Sequence, residues 1–214
     1  MSACRFVAGL SVLAAGLACP VPAPAQAPLT PQGPSFECSE AASEAEKLVC
    51  ADPDLAALDW RLEQRFLAAV KAVEGFGGDV AAAEAELRAS QRGWIGGRDE
   101  CWKAADPQGC VRDAYLRREG ELVALYMLET PASVATWICD GNLANEVVTF
   151  FFDTELPSVR IERGDTVDAG LLARSGSGAR YEASFGRQIW IKGNEATYRE
   201  ADPDGSSVTC AVSA

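Results

Sequence analysis

The 214-residue sequence contains no histidine. That absence removes the Ser-His-Asp and Cys-His arrangements of nucleophilic catalysis and the commonest ligand of zinc, so no metal site and no cofactor is expected. Positive charge is scarce as well: 19 Lys and Arg stand against 31 Asp and Glu, a net charge of −12. Such a field repels phosphates, which argues against nucleic acid as a partner, and it favours encounter with basic proteins. Many carboxylates are present, but none forms a recognisable acid/base motif, so a glycan hydrolase is disfavoured. Beyond the first two dozen residues no apolar run reaches the roughly 20 residues that span a bilayer.

Residues 1–25 read as a secretory signal peptide, with one positive charge at Arg5, an apolar run from Phe6 to Cys19 and a small-residue site at Ala23-Pro24-Ala25. Cleavage after Ala25 leaves a chain of net charge −13, because Arg5 departs and no acidic residue does. The expected location is periplasmic or secreted. An outer-membrane lipoprotein attached through Cys19 is the alternative, weakened by Gly16 where a lipobox prefers a large aliphatic residue. Six cysteines then remain, Cys38, Cys50, Cys101, Cys110, Cys139 and Cys210, an even number that predicts three disulfides in an exported chain.

The proline-rich stretch 26–35 is expected to be a disordered leader. Helical signals dominate residues 36–130. Asp52-Pro53-Asp54 is a helix start, with Asp52 as N-cap, followed by an apolar stripe of Leu55, Leu58, Leu62 and Phe66 that ends at Gly75-Phe76-Gly77-Gly78. A second stretch carries Val80, Ala83, Leu87 and Trp94, and a third begins near Cys110 with Val111, Ala114, Leu122 and Leu125. With a shorter helix over about Ser39 to Cys50, this predicts a small helical bundle. After Pro131 the pattern changes to short β-rich runs: Ala135 to Cys139, Glu146 to Phe152, Ser158 to Arg163, Thr166 to Ala173, Arg180 to Phe185, Gln188 to Lys192, Ala196 to Arg199 and Ser207 to Val212. Eight such runs within residues 131–214 predict a closed antiparallel β-barrel. The fold class is therefore α+β in two domains, a disulfide-linked helical bundle followed by an eight-stranded barrel. Cys139 and Cys210 would join the terminal strands, and closing a loop of about 70 residues stabilises by roughly 4 kcal/mol in the chain-entropy account.

Two neighbouring turns of the barrel carry polar groups with no evident part in a core. Ser177 lies in the glycine-flanked loop Ser175-Gly176-Ser177-Gly178, ahead of Ala179-Arg180-Tyr181. Lys192 ends the run Gln188 to Lys192, just before a tight Gly193-Asn194 turn. Alternation puts Gln188, Trp190 and Lys192 on one strand face and Ile189 and Ile191 on the other. Read alone, such a lysine is an ordinary solvated edge residue, and Trp190, Tyr181 and Phe150-Phe151-Phe152 read as packing.

These residues, Ser177-Gly178-Ala179-Arg180-Tyr181 followed by Trp190-Ile191-Lys192-Gly193, resemble the signature of the MliC/PliC family of periplasmic inhibitors of c-type lysozyme, across about Thr136 to Val212. The resemblance implies an inhibitor and not an enzyme, with c-type lysozyme as partner and Ser177, Gly178, Tyr181, Lys192 and Gly193 as the lysozyme-binding residues. The sequence departs from the family pattern at Ile191, where a small hydroxyl residue is common, and at Arg187, where tyrosine is. The helical part resembles the LprI N-terminal family through Phe36-Glu37-Cys38, Glu46-Lys47-Leu48-Val49-Cys50, Leu58-Asp59, Gln91-Arg92-Gly93-Trp94, Arg98-Asp99-Glu100-Cys101 and Cys110. A continuous helix between Cys38 and Cys50 would hold them roughly 18 Å apart, beyond bonding reach. Nested pairs, Cys38 with Cys110 and Cys50 with Cys101, are then favoured. Gln91, Trp94, Arg98 and Asp99 could form an interaction surface, although a buried tryptophan with helix-surface charges is the simpler reading. A ligand-carrying barrel lumen is the rival function, disfavoured because strands this short leave a narrow interior that side chains fill.

Overall fold

A computed structural model describes residues 33–75 and 77–213. The signal peptide, Cys19 and most of the expected leader lie outside the described residues. Ser35, assigned to that leader, is tied down: its backbone N and its Oγ donate to Asp59 Oδ2 at 2.6 and 2.7 Å.

Four helices come first: α1 (Glu44–Ala51), α2 (Pro53–Val73), α3 (Val80–Asp99) and α4 (Pro107–Tyr126). Each start is written locally. Ser43 and Glu46 form a reciprocal capping box on α1, and Asp52, Asp79 and Asp106 accept backbone N–H groups at the starts of α2, α3 and α4. These acceptors satisfy donors that a helix leaves unpaired. Leu55, Leu58, Leu62 and Phe66 form the buried stripe of α2, as expected, and pack with Val49, Leu87, Val111, Tyr115 and Leu122.

The helical disulfides differ from the nested pairing. Cys38 bonds Cys50 and Cys101 bonds Cys110, with Cα separations of 5.8 and 5.6 Å. The reason is that the chain from Cys38 to Cys50 is not one helix. A short 3₁₀ turn spans Cys38–Glu40, Ala41 and Ser43 leave helical geometry at ψ 110° and 158°, and α1 then doubles back. The chain likewise reverses between the 3₁₀ turn Glu100–Lys103 and the start of α4. The first bridge ties the 3₁₀ turn to the last turn of α1, and the second ties the 3₁₀ turn after α3 to the first turn of α4.

A buried polar chain crosses the bundle. Tyr115 Oη donates to Asp59 Oδ1 at 2.7 Å and accepts from Arg98 Nη1 at 2.8 Å, while Arg98 also pairs with Asp99 at 2.8 Å. Burial pushes the Tyr115 hydroxyl well above the usual tyrosine range; Arg98 opposes that rise and Asp59 adds to it. The hydroxyl is therefore a permanent neutral donor that satisfies a buried carboxylate.

The barrel follows: β1 (Ser133–Cys139), β2 (Glu146–Phe152), β3 (Ser158–Arg163), β4 (Thr166–Ala173), β5 (Ala179–Glu182), β6 (Gln188–Lys192), β7 (Glu195–Arg199) and β8 (Ser207–Val212), antiparallel in sequence order and closed by β1 on β8. Cys139 and Cys210 are direct register partners and are bonded, as expected. Trp137, Val147, Val159, Ile161, Tyr181, Ile189 and Tyr198 make up its core. Trp137 Nε1 donates to Thr149 Oγ1 at 2.8 Å, so the buried indole is satisfied. One strand is shorter than predicted: β5 ends at Glu182, and Phe185 turns into the left-handed region at φ 52°, exposed in a 3₁₀ turn over Ser184–Gly186.

Helix α4 joins the two parts, which explains its weak amphipathic pattern: it is buried on two sides. Val111, Tyr115 and Leu122 face the bundle, while Val123 and Ala124 pack with Phe152 and Ala169 of the barrel. Gly120 permits the approach, since a Cβ there would lie 2.6 Å from Leu171 Cδ2 and 3.2 Å from Ser158 Cβ. Polar clamps surround this contact. Arg61 bridges Glu119 and Glu155 at 2.6 and 2.9 Å, Arg112 also pairs with Glu155, and Arg160 Nη1 donates to the Leu125 carbonyl at 2.5 Å.

Tyr115→Phe keeps the ring and removes a hydroxyl that serves both Asp59 and Arg98. It should cost about 1–3 kcal/mol, read as a lowered urea midpoint at unchanged slope. An unchanged midpoint would contradict the structural role of this chain.

Candidate inhibitory tip of the barrel

The loop 174–178 leaves β4 and the Gly193-Asn194 turn follows β6, so antiparallel pairing brings both to the same end of the barrel. Ala179 pairs with Ile191 and Arg180 with Trp190. Gly178 is thereby pressed against β6. At φ 69°, a Cβ on it would sit 2.2 Å from the Ile191 carbonyl oxygen and 2.9 Å from Lys192 Cγ. Glycine is required here for the loop to close on the chain's own strand.

Trp190 ties the pieces together. Its Nε1 donates to the Ser177 carbonyl at 2.8 Å, and Lys192 Nζ lies 3.7 Å from its ring centroid. The cation follows the aromatic by two residues, and strand alternation puts both on one face. Ser175 Oγ donates to the carbonyls of Ser177 and Gly178 at 3.2 and 2.9 Å, and Arg180 Nη2 donates to the Arg174 carbonyl at 3.1 Å. The loop backbone is thus pinned from inside. Its outward groups are free: among the described residues the Ser177 hydroxyl has no hydrogen bond and the Lys192 ammonium has no carboxylate partner. Both residues are exposed.

Four of the five residues singled out from sequence, Ser177, Gly178, Lys192 and Gly193, therefore share this tip, with Gly193 at φ 64° in the hairpin turn. Tyr181 sits below it. Its side chain packs in the barrel core with Phe151 at a 5.6 Å centroid distance, the residue is 8% exposed, and burial, aided by Asp153, raises the hydroxyl's pKa. It underlies the loop. The two departures from the family pattern lie off the outward surface. Ile191 packs against the barrel core, and Arg187 pairs with Asp168 at the other end of β6. Trp190, read from sequence as packing, is the residue that couples the loops; an aromatic two positions before a terminal lysine was the available signal.

The four helical residues considered as a surface do not form one. Arg98 is 5% exposed, Trp94 Nε1 donates to the Ala114 carbonyl at 3.1 Å and Gln91 accepts from Arg118 at 2.9 Å. Asp99 accepts from Arg98 and Ser43. They hold α1, α3 and α4 together. Arg98 is also not the helix-surface charge that the simpler reading assumed.

Comparison with known families agrees with this architecture. Residues 137–206 match the family described as membrane-bound lysozyme-inhibitor of c-type lysozyme (MliC), and residues 38–122 match the lysozyme inhibitor LprI family. The chain thus carries an LprI N-terminal domain followed by an MliC C-terminal domain. As a whole it is a homologue of the mycobacterial lipoprotein LprI: the proteins of that name from Mycobacterium tuberculosis and Mycobacterium bovis are 29% identical over 201 residues, 92% of this chain and 93% of theirs. An uncharacterized protein of Rhizobium meliloti is 33% identical over 118 residues, covering 46% of this chain and 85% of that one. No solved structure matches the chain.

Trp190→Phe retains a ring under Lys192 but loses the donor to Ser177. Amide exchange in residues 174–178 should accelerate about fivefold, the equivalent of about 1 kcal/mol, with the barrel strands unaffected. Unchanged exchange in that loop would show that the indole does not hold it.

Proposed function

We propose that this protein is an exported, envelope-associated inhibitor of c-type lysozyme that blocks the catalytic cleft with the Ser177 and Lys192 loops. The observation that carries the reading is an exposed Ser177 hydroxyl without a hydrogen bond beside a Lys192 ammonium that rests on the Trp190 ring without a carboxylate partner, both on a backbone held by Trp190, Ser175 and Arg180. A retaining glycosidase holds two carboxyl groups about 5 to 5.5 Å apart, one a protonated acid and the other ionised. The Lys192 ammonium suits the ionised carboxylate, and the Ser177 hydroxyl suits the acid, to which it can donate or from which it can accept. Occupying both excludes substrate. The protein acts here as a stoichiometric plug and does no chemistry itself.

The braced loops support the reading energetically, because little ordering entropy remains to be lost on binding. The acidic body supports it kinetically, since a chain of net charge −12 accelerates encounter with a basic enzyme. The mycobacterial relatives are named lipoproteins, which favours an envelope location. Export by the N-terminal signal agrees with this, and a lipid anchor would require cleavage just ahead of Cys19 in place of cleavage after Ala25. The helical domain holds the barrel through α4.

The test is clearance of bacterial cell walls by c-type lysozyme in the presence of the full mature chain. The parent should inhibit. Lys192→Ala should raise the half-inhibitory concentration about thirtyfold or more, since truncating one member of a desolvated charge pair costs about 2 kcal/mol or more. Equal inhibition by the variant would move the site elsewhere on the molecule.

A further inference from the structure

Residues 131–214 contain twelve acidic and seven basic side chains. With carboxylates in such excess, every cation there could find a partner, and five do: Arg160 with Glu162, Arg163 with Glu200, Arg180 with Glu182, Arg187 with Asp168 and Arg199 with Asp202. The two without an ion pair among the described residues are Lys192 and Arg174. Arg174 opens the loop that carries Ser177, at the same end of the barrel as Lys192, and it is exposed. Its backbone is fixed, because Arg180 Nη2 donates to its carbonyl at 3.1 Å. Its guanidinium is left outward.

We infer that Arg174 is a second cation of the inhibitory tip and takes up a third carboxylate, on the rim of the target's cleft. This rests on the reading that the Ser177–Lys192 tip enters that cleft. The guanidinium presents donors in a planar fork that matches a carboxylate bidentately. Electrostatics sharpens the argument. Facing a basic enzyme, an unpaired arginine at the contact is repelled at long range unless a specific carboxylate meets it at short range. Its loss should therefore act on dissociation and not on encounter.

The experiment measures association and dissociation rates of the full mature chain on immobilised c-type lysozyme, for the parent, Arg174→Gln, Arg174→Lys and Lys192→Ala. Arg174→Gln should raise the dissociation rate about tenfold with an association rate equal to or above the parent's, and Arg174→Lys should recover part of the loss. If Arg174→Gln binds within twofold of the parent while Lys192→Ala is impaired, Arg174 is a solvated surface charge and the inference fails alone. A change confined to association would also overturn it, since the arginine would then act only through the overall field. If neither Arg174→Gln nor Lys192→Ala alters either rate, the tip reading itself fails and Arg174 falls with it.

Discussion

The indole of Trp190 is the contact on which the proposed inhibitory end of this molecule depends. One atom, Nε1, holds the Ser177 carbonyl, and one face carries the Lys192 ammonium. Without it the Ser177 carbonyl would keep only Ser175 Oγ, at 3.2 Å, and the two loops would be joined only by β5–β6 pairing and the Gly178 contact, leaving Ser177 more positions to sample. The pressed contact of Gly178 on the Ile191 carbonyl completes the arrangement from the backbone side. A hydroxyl and a cation are thereby offered in fixed relation, which suits a target whose own two carboxyl groups are fixed.

The same economy appears between the domains. Helix α4 serves two cores at once, with Val111, Tyr115 and Leu122 on one side and Val123 and Ala124 on the other. The glycine at 120 sets the distance, and Glu155, from the β2–β3 connection, receives arginines from both α2 and α4. Separating the barrel from the bundle would expose Phe152 and Ala169 and leave Arg160 without the Leu125 carbonyl. The barrel is therefore best understood with its helical partner attached.

Much of this was legible in the residues. Alternation and turn chemistry located all eight strands, five of them with the bounds the structure shows, and the terminal strands were correctly joined by Cys139 and Cys210. Strand registers are fixed by period-two patterns, which a sequence displays openly. The helical disulfides were misread because the inference assumed an unbroken helix from Cys38, and three residues at 41–43 were enough to reverse the chain. Arg98 was misread for a different reason. Charge suggests surface, and only the tertiary arrangement of Tyr115, Asp59 and Asp99 reveals a buried site that satisfies a guanidinium. At the tip, the family resemblance singled out Ser177 and Lys192, which read alone are ordinary turn residues. That Gly178 is pressed against the chain's own strand needed the register between β5 and β6.

The most direct measurement is a double-mutant cycle between Lys192 and the ionised catalytic carboxylate of a c-type lysozyme, using the full chain, Lys192→Ala, and the enzyme with that carboxylate neutralised to its amide. If the tip occupies the cleft as described, the two changes should couple by about 1.5 kcal/mol or more, within the range seen for close interfacial charge pairs. Additive effects, with coupling near zero, would mean that Lys192 and the carboxylate never meet, and the account of inhibition by this tip would be wrong.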